Sequence, residues 1–344
     1  MKQALNTLYV TTPEAYLRLE GETVCVMIEK QKKMQVPLHH LGAFVLFDNV
    51  MLSPALLGRC AEDGLSVVWL NRSGRFRARL EGPVNGNVLL RQAQYRAADD
   101  RDKSIKLAKR FIAGKIRNSR QILMRGAREN KSEAEKSNLV HASRLLAGNL
   151  KKLPTVQTHD ELRGVEGDSA RIYFDALPKI IKPSARETFN FTTRNRRPPR
   201  DPFNALASFL YALVLSDCRS ALETVGLDPQ LGFLHAVRPG RQSLALDMLE
   251  EFRAPLCDRL ALTLINREQL NAKDFDKREG GSVLLNDKGR KTVIGAFQTR
   301  KQEELNHPVL DQSLPIGLLA QIQARLLARF LREDSEDYIP YLQR

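Results

Sequence analysis

His235, one of six histidines in the chain, closes the segment Leu231-Gly232-Phe233-Leu234 and is followed by the turn Arg238-Pro239-Gly240-Arg241. A helix-like run then carries Asp247, Glu250 and Glu251. Ala245, Met248, Leu249, Phe252 and Leu256 recur at helical spacing, and at about 100° per residue the three carboxylates share roughly 100° of arc on the other side. An imidazole beside two or three carboxylates is a mixed nitrogen and oxygen donor set for a divalent cation. The same pattern also suits an amphipathic helix with a solvated acidic face and a histidine that merely packs. A further acidic candidate is Glu166 in Gly164-Val165-Glu166-Gly167, where the glycines let backbone or ligand approach closely. A lone glutamate, read by itself, is ordinary surface.

The elements that must position these groups change character along the chain. Leu5–Thr11, Ala15–Leu19, Thr23–Ile28, Ala43–Phe47, Leu65–Leu70 and Arg75–Leu80 read as strands, with Gly21 and Asp48-Asn49 at turns and Asn71–Gly74 as another. Ser53–Asp63 reads as a short helix with Ser53 as N-cap, Pro54 at its first position and Gly64 beyond its end. Glu81-Gly82-Pro83 is a natural linker. After it the period becomes helical, in Asn87–Ala98, Asp100–Glu129 and Ser132–Leu150, with Gly114 and Gly126 weakening the long middle segment. Asp168–Ala176 looks helical, and Asp201 caps a helix from Pro202 to a stop at Gly226. Pro255 should kink or restart the acidic helix, since its ring clashes with the Glu251 carbonyl. Asp258 extends the acidic face if that kink is mild. A polar loop at Lys273–Gly281, a hairpin of Ser282–Leu285 with Lys291–Phe297, a final helix Leu314–Arg332 and a loosely held tail Glu333–Arg344 complete the reading. The fold class is therefore α+β: a small, mostly β domain over residues 1–82, then a larger α-helical domain over 83–344. The exposed last strand of the first domain offers an edge for pairing with a second copy.

The formal net charge is +14. Residues 1–85 hold ten basic and eight acidic side chains, whereas 86–156 hold seventeen basic against six acidic. A local excess of that size attracts phosphate backbones and makes binding salt-sensitive. The loop Phe189–Asp201 adds Arg194, Arg196, Arg197 and Arg200 beside Phe189 and Phe191, a pairing suited to phosphates and unstacked bases. An arginine-rich surface loop has the same composition. Four scattered cysteines without C-x-x-C spacing give neither a disulfide framework nor a zinc site, and a reducing cytoplasm fits them best. The start, MKQALNTLYVTT, lacks a secretory pattern, and no apolar run approaches the roughly 20 residues of a membrane span. No P-loop, dinucleotide-binding glycine pattern or Ser/His/Asp order supports a different chemistry.

Three stretches coincide with one family. They are Gly164-Val165-Glu166-Gly167 with Ala170–Phe174, Arg197–Leu206 (RPPRDPFNAL), and Gly232-Phe233-Leu234-His235 with Ser243–Arg253 (SLALDMLEEFR). In this order and at these separations, the chain resembles the universal CRISPR-associated integrase/endonuclease of spacer acquisition, most like its type I-C branch. The resemblance covers the whole chain. It implies a β domain, a helical catalytic domain and a homodimer, assembled with a small ferredoxin-like adaptation protein around a short DNA duplex. Its ligands for Mg2+ or Mn2+ map onto Glu166, His235 and Glu250, with Asp247 as a helper. Glu251 stands where many members have proline, so its role is open. Arg238 and Arg241, like the arginines of the 194–200 loop, are candidates for DNA contact. The implied reaction is attack of a DNA 3′-OH on a phosphodiester, with water able to take the same place. Two other readings use the same residues: a nuclease selective for branched DNA, and a non-catalytic nucleic-acid scaffold.

Overall fold

The computed structural model describes residues 7–72, 74, 76–82, 88–195 and 198–343. Several sequence expectations therefore fall outside the described residues: Leu5 and Asn6 of the first strand, Ser73, Arg75, Pro83, Asn87, Arg344, and the loop arginines Arg196 and Arg197.

The first part of the chain builds two four-stranded sheets. One contains β1 (Thr7–Val10), β5 (Ala43–Phe47), β7 (Ser66–Leu70) and β8 (Phe76–Arg79); the other contains β2 (Tyr16–Glu20), β3 (Thr23–Ile28), β4 (Gln31–Pro37) and β6 (Met51–Leu52). β1, β5 and β7 are parallel, and β8 closes that sheet as an antiparallel edge. β4 and β6 escaped the sequence reading, the former because Gln31-Lys32-Lys33-Met34 gives an exposed edge no apolar alternation. The runs AFVLF and SVVWL are almost continuously apolar because their sheet is covered on both faces. Phe44, Leu46 and Val67 pack towards the second sheet and helix α1 (Pro54–Glu62), whereas Val45, Phe47, Val68 and Leu70 belong to the large helical core. The Ser53 hydroxyl accepts from Leu56 N, as an N-cap should.

Helices follow: α2 (Val88–Asp99), α3 (Arg101–Glu129), α4 (Glu133–Lys152), α5 (His159–Ala176), α6 (Pro183–Phe189), α7 (Pro202–Val225), α8 (Ser243–Phe252) and α9 (Arg259–Asn266). α3 runs unbroken through both glycines expected to weaken it. They serve close packing instead: a Cβ on Gly114 would lie 2.9 Å from Pro340, and one on Gly126 would lie 2.6 Å from Ile180. α7 starts on its Asp201 cap and stops at Gly226, which takes a left-handed φ of 89°. α7 is long and apolar enough to meet a membrane-span criterion of length and composition, unlike the sequence expectation, but 67% of that stretch is buried inside the protein.

Beyond α9 the hairpin expectation fails. β10 (Val283–Leu285) pairs instead with β9 (Phe275–Lys277), and Lys291–Phe297 lies inside helix α10 (Asp287–Gln302). Asn286 is not a turn residue but the cap of that helix, accepting from Gly289 N, and Val293, Ile294 and Phe297 bury one helical stripe. A hairpin of β11 (Glu304–His307) and β12 (Gln312–Pro315) precedes α11 (Leu319–Leu331), so the last helix begins later than Leu314. The tail is also corrected: Tyr338 and Tyr341 are buried, and Lys103 and Arg110 of α3 form ion pairs with Glu333 and Asp337. All four cysteines are free and buried.

Candidate metal and nucleic-acid site

α8 is the element on which the site is built, and its acidic face is not solvated. Asp247, Glu250 and Glu251 are all buried, which removes the amphipathic-surface reading. Pro255 is answered by a π-helical turn over Arg253–Asp258. Because proline has no N–H to offer the Glu251 carbonyl, that oxygen accepts from Asn118 Nδ2 of α3 at 2.8 Å instead.

The three carboxylates diverge. Asp247 turns to the segment that precedes it: Oδ2 accepts from the backbone N–H groups of Phe233 (2.6 Å) and Leu234 (2.9 Å), and Oδ1 accepts from His235 N (3.0 Å). His235 Nδ1 lies 2.6 Å from the same Oδ1. An Nδ1–H donated there leaves the lone pair on Nε2, which faces Glu250 Oε1 at 3.9 Å. Asp247 thus orients the histidine and has no free oxygen for a cation. Gly232 makes this wrapping possible, since a Cβ there would meet Asp247 Oδ2 and the Ser243 carbonyl carbon, each at 2.6 Å. Gly232→Ala is therefore expected to destabilise the protein by about 1–3 kcal/mol and to loosen His235, measurable by urea unfolding. The segment is also pinned from outside: Gln94 of α2 donates to Asp228 O and Leu231 O, both at 2.8 Å, and His159 of α5 bonds Phe233 O at 2.8 Å.

Glu250 faces the other way, towards Glu166 and Lys115. Glu166 lies in the middle of α5, which starts at His159 rather than near Asp168, and its glycines are helical rather than part of a loop. A Cβ on Gly164 or Gly167 would meet nothing within 4 Å, so the helix surface beside Glu166 is open. Lys115 of α3 bridges the two carboxylates, hydrogen-bonding Glu166 and lying 2.8 Å from Glu250 Oε2. Arg253 holds the other Glu250 oxygen at 2.9 Å. Burial opposes ionisation of Glu250, but the Arg253 and Lys115 cations outweigh it and hold its carboxyl down at about 2. Arg253 itself sits over the Tyr211 ring, 5.0 Å from its centroid.

Glu251 takes no part in this cluster. It accepts from Tyr338 OH, from Tyr341 N at 2.7 Å and from Gln323 Nε2 at 3.0 Å, under the C-terminal tail. Asp258 is equally remote from an acidic face, accepting from Tyr173 OH (3.0 Å) and Tyr211 OH (2.7 Å).

Two carboxylates and an imidazole nitrogen suit Mg2+ or Mn2+ by donor chemistry. Among the described residues, however, no three His, Cys, Asp or Glu side chains are grouped as a metal cage. The Lys115 ammonium stands between Glu166 and Glu250. Glu250 Oε2 is buried and receives no aligned hydrogen bond, so it retains capacity for a cation. The fit to an ion is one of donor chemistry, two carboxylates and an imidazole, with a lysine between the carboxylates.

Among the arginine candidates, Arg194 is committed to the fold. It donates to Asn204 Oδ1 (2.7 Å) and Ser208 Oγ (3.0 Å) and lies 5.1 Å from the Tyr211 ring centroid. Phe189 and Phe191 are buried, the latter stacked on Phe203, so they offer no faces to bases. Arg200 and Arg238 are exposed and Arg241 is half-buried. The α3–α4 face presents Arg117, Arg120 and Arg128 around an open cavity of about 480 Å³. Part of the basic excess of residues 86–156 is thus spent on the tail, and part faces solvent.

Sequence reasoning missed Lys115, Arg253, Gln94 and His159. Lys115 had a signal, because it falls in the buried stripe Phe111, Ile112, Ile116, Ser119 of α3, where a lysine needs a partner. The others act through tertiary contacts that no local pattern announces.

Residues 8–299 match the family described as CRISPR associated protein Cas1. The chain is 52% identical over 340 residues to the CRISPR-associated endonuclease Cas1 1 of Moorella thermoacetica, covering 99% of each chain. Its fold is similar to a Cas1 protein from Thermotoga maritima, with TM-score 0.80 at 23% identity over 95% of this chain and 96% of that one. It is also similar to a casposase bound to integration product, with TM-score 0.83 at 20% identity over 98% and 94% of the two chains.

Proposed function

Since the chain belongs to the Cas1 family, we propose that it is a divalent-metal-dependent DNA endonuclease and integrase of CRISPR adaptation, acting in antiviral defence. The observation that supports this reading is that Glu250 shares the Lys115 ammonium with Glu166 through one carboxylate oxygen and faces His235 Nε2 at 3.9 Å through the other. Glu166, Glu250 and His235 would hold the ion, Mg2+ or Mn2+. When bound, it supplies charge neutralisation on the phosphodiester oxygens and orientation of the nucleophile. The protein's own groups prepare for that: Arg253 keeps Glu250 ionised and in place, and Asp247 fixes the imidazole with Nε2 inward. Arg200, Arg238 and Arg241 would bind phosphates of a duplex. In the joining reaction the DNA 3′-oxygen forms the new P–O bond as the strand's original bond from phosphorus to the 3′-oxygen breaks. Water in that place gives hydrolysis.

The finer assignments are part of the same proposal: the type I-C branch, on the three quoted motifs; a homodimer, through the exposed β8 edge; a cytoplasmic setting; and assembly with the small ferredoxin-like adaptation protein. The division at residue 82 is proposed as a functional boundary, although the first sheet contributes one face to each core.

The test is joining of a short duplex into a repeat-containing plasmid with Mn2+ or Mg2+, with and without the small partner. Wild type should join only with the partner, and Glu166→Ala should lose at least about 10²-fold while remaining folded. Cutting of branched DNA without joining would favour a structure-selective nuclease. Unchanged activity in both Glu166→Ala and His235→Ala would leave only a binding scaffold.

A further inference from the structure

A lysine held between two buried or half-buried carboxylates is doing the electrostatic work of a cation at that position. Lys115 Nζ hydrogen-bonds Glu166 and lies 2.8 Å from Glu250 Oε2, with its own side chain only 11% exposed. It projects from the middle of α3, a 29-residue helix fixed against α4, α5 and α8, so its backbone cannot retreat. We infer that Lys115 is a placeholder cation, an internal competitor whose ammonium occupies the ion position in the resting protein and must swing out for a divalent ion to bind. The inference rests on the proposed metal site and extends it to how loading is controlled.

A further observation supports it. Glu250 Oε2 has the Lys115 ammonium at 2.8 Å and no other polar partner among the described residues, so a divalent ion and the ammonium would compete for that oxygen.

The consequence is a penalty on metal affinity. If the ion-competent arrangement is the minor one, the apparent dissociation constant is raised by the inverse of its population. Removing the ammonium lifts that penalty, but it also leaves Glu166 and Glu250 facing each other without their shared cation. Lys115→Met should therefore bind Mn2+ about 10- to 100-fold more tightly than wild type, melt at a lower temperature without metal, and gain more in melting temperature from Mn2+. Calorimetric and electron paramagnetic resonance titrations with Mn2+ alone read the affinity, and thermal melts read the rest. Lys115→Gln, neutral and hydrogen-bonding, should show the same order if Lys115→Met folds poorly. Glu166→Gln reports on the metal site independently and should weaken Mn2+ binding. If both Lys115 variants bind Mn2+ no more tightly than wild type while Glu166→Gln weakens it, the placeholder is overturned and the metal site stands. If wild type binds no Mn2+ and Glu166→Gln changes nothing, the metal reading falls and the placeholder with it.

Discussion

Asp247→Ala is expected to cost about 3–5 kcal/mol of stability, the scale for removing one partner from a buried charged network, although Asp247 touches neither Glu166 nor the proposed ion position. The carboxylate gathers the N–H groups of Phe233, Leu234 and His235 and the imidazole Nδ1. Deleting it orphans several donors, two of them on buried residues, and each unsatisfied buried group costs about 1–3 kcal/mol. Asp247→Asn is the more informative change because it keeps the shape. Each Asp247 oxygen receives two donors, so whichever way the amide is turned its NH2 faces two N–H groups. The segment should loosen and the histidine should lose its enforced Nδ1–H form. Mn2+ affinity is then expected to fall about 10- to 100-fold, as for other partners that orient a ligating histidine, with joining activity falling alongside. Urea unfolding, Mn2+ titration and joining assays below the melting temperature separate the two effects. Wild-type Mn2+ affinity in Asp247→Asn would show that His235 is not oriented from this side.

The pattern that made α8 legible also explains what it concealed. Helical spacing placed Asp247, Glu250 and Glu251 on one arc, and the three motif stretches singled out Glu166, His235 and Glu250, of which Glu250 shares Lys115 with Glu166 and faces His235 Nε2 at 3.9 Å. Spacing says nothing about what covers the arc. Here three different covers meet it: the Gly232–His235 segment, the α3–α5 pair and the C-terminal tail. Each claims one carboxylate. The same limit produced the false hairpin. Asn286-Asp287-Lys288-Gly289 carries turn residues, but Asn286 serves equally as a helix cap, and only the buried stripe of Val293, Ile294 and Phe297 decides between them. Strong local signals, such as the caps at Ser53 and Asp201, were read correctly because their chemistry is complete within four residues. The tail was misjudged because its polar composition hides two tyrosines whose binding site is assembled from α3, α8 and α11.

That tail yields the second large effect. Burial pushes the Glu251 carboxyl up to about 8, against the downward pull of its bonds from Tyr338, Tyr341 N and Gln323. The folded protein therefore keeps a proton that the unfolded chain releases near the ordinary value of 4.5. The folded pKa is raised, so this contribution to stability is fully present below about pH 4.5, declines through the window above it, and is gone once pH passes about 8. The slope within the window is roughly 1.4 kcal/mol per pH unit from this one group. Glu251→Gln, a permanent neutral mimic, should resemble wild type at acidic pH, lose this slope, and exceed wild type in stability above pH 8. A similar slope over a narrower, more acidic window should persist from Asp258, whose carboxyl burial raises from 3.8 to about 6 against its two tyrosine bonds. Glu251→Ala should instead be destabilised at every pH, by about 1–3 kcal/mol for each buried donor left unsatisfied, because Tyr338 OH, Tyr341 N and Gln323 Nε2 lose their common acceptor. Unfolding curves from pH 5 to 9 give the slopes, and amide exchange at Tyr341 reports whether the tail releases first. An unchanged alkaline slope in Glu251→Gln would assign the pH dependence to another group. Tail release without change in Mn2+ affinity would show that Glu251 acts on the fold alone, one residue away from the carboxylate proposed to do the chemistry.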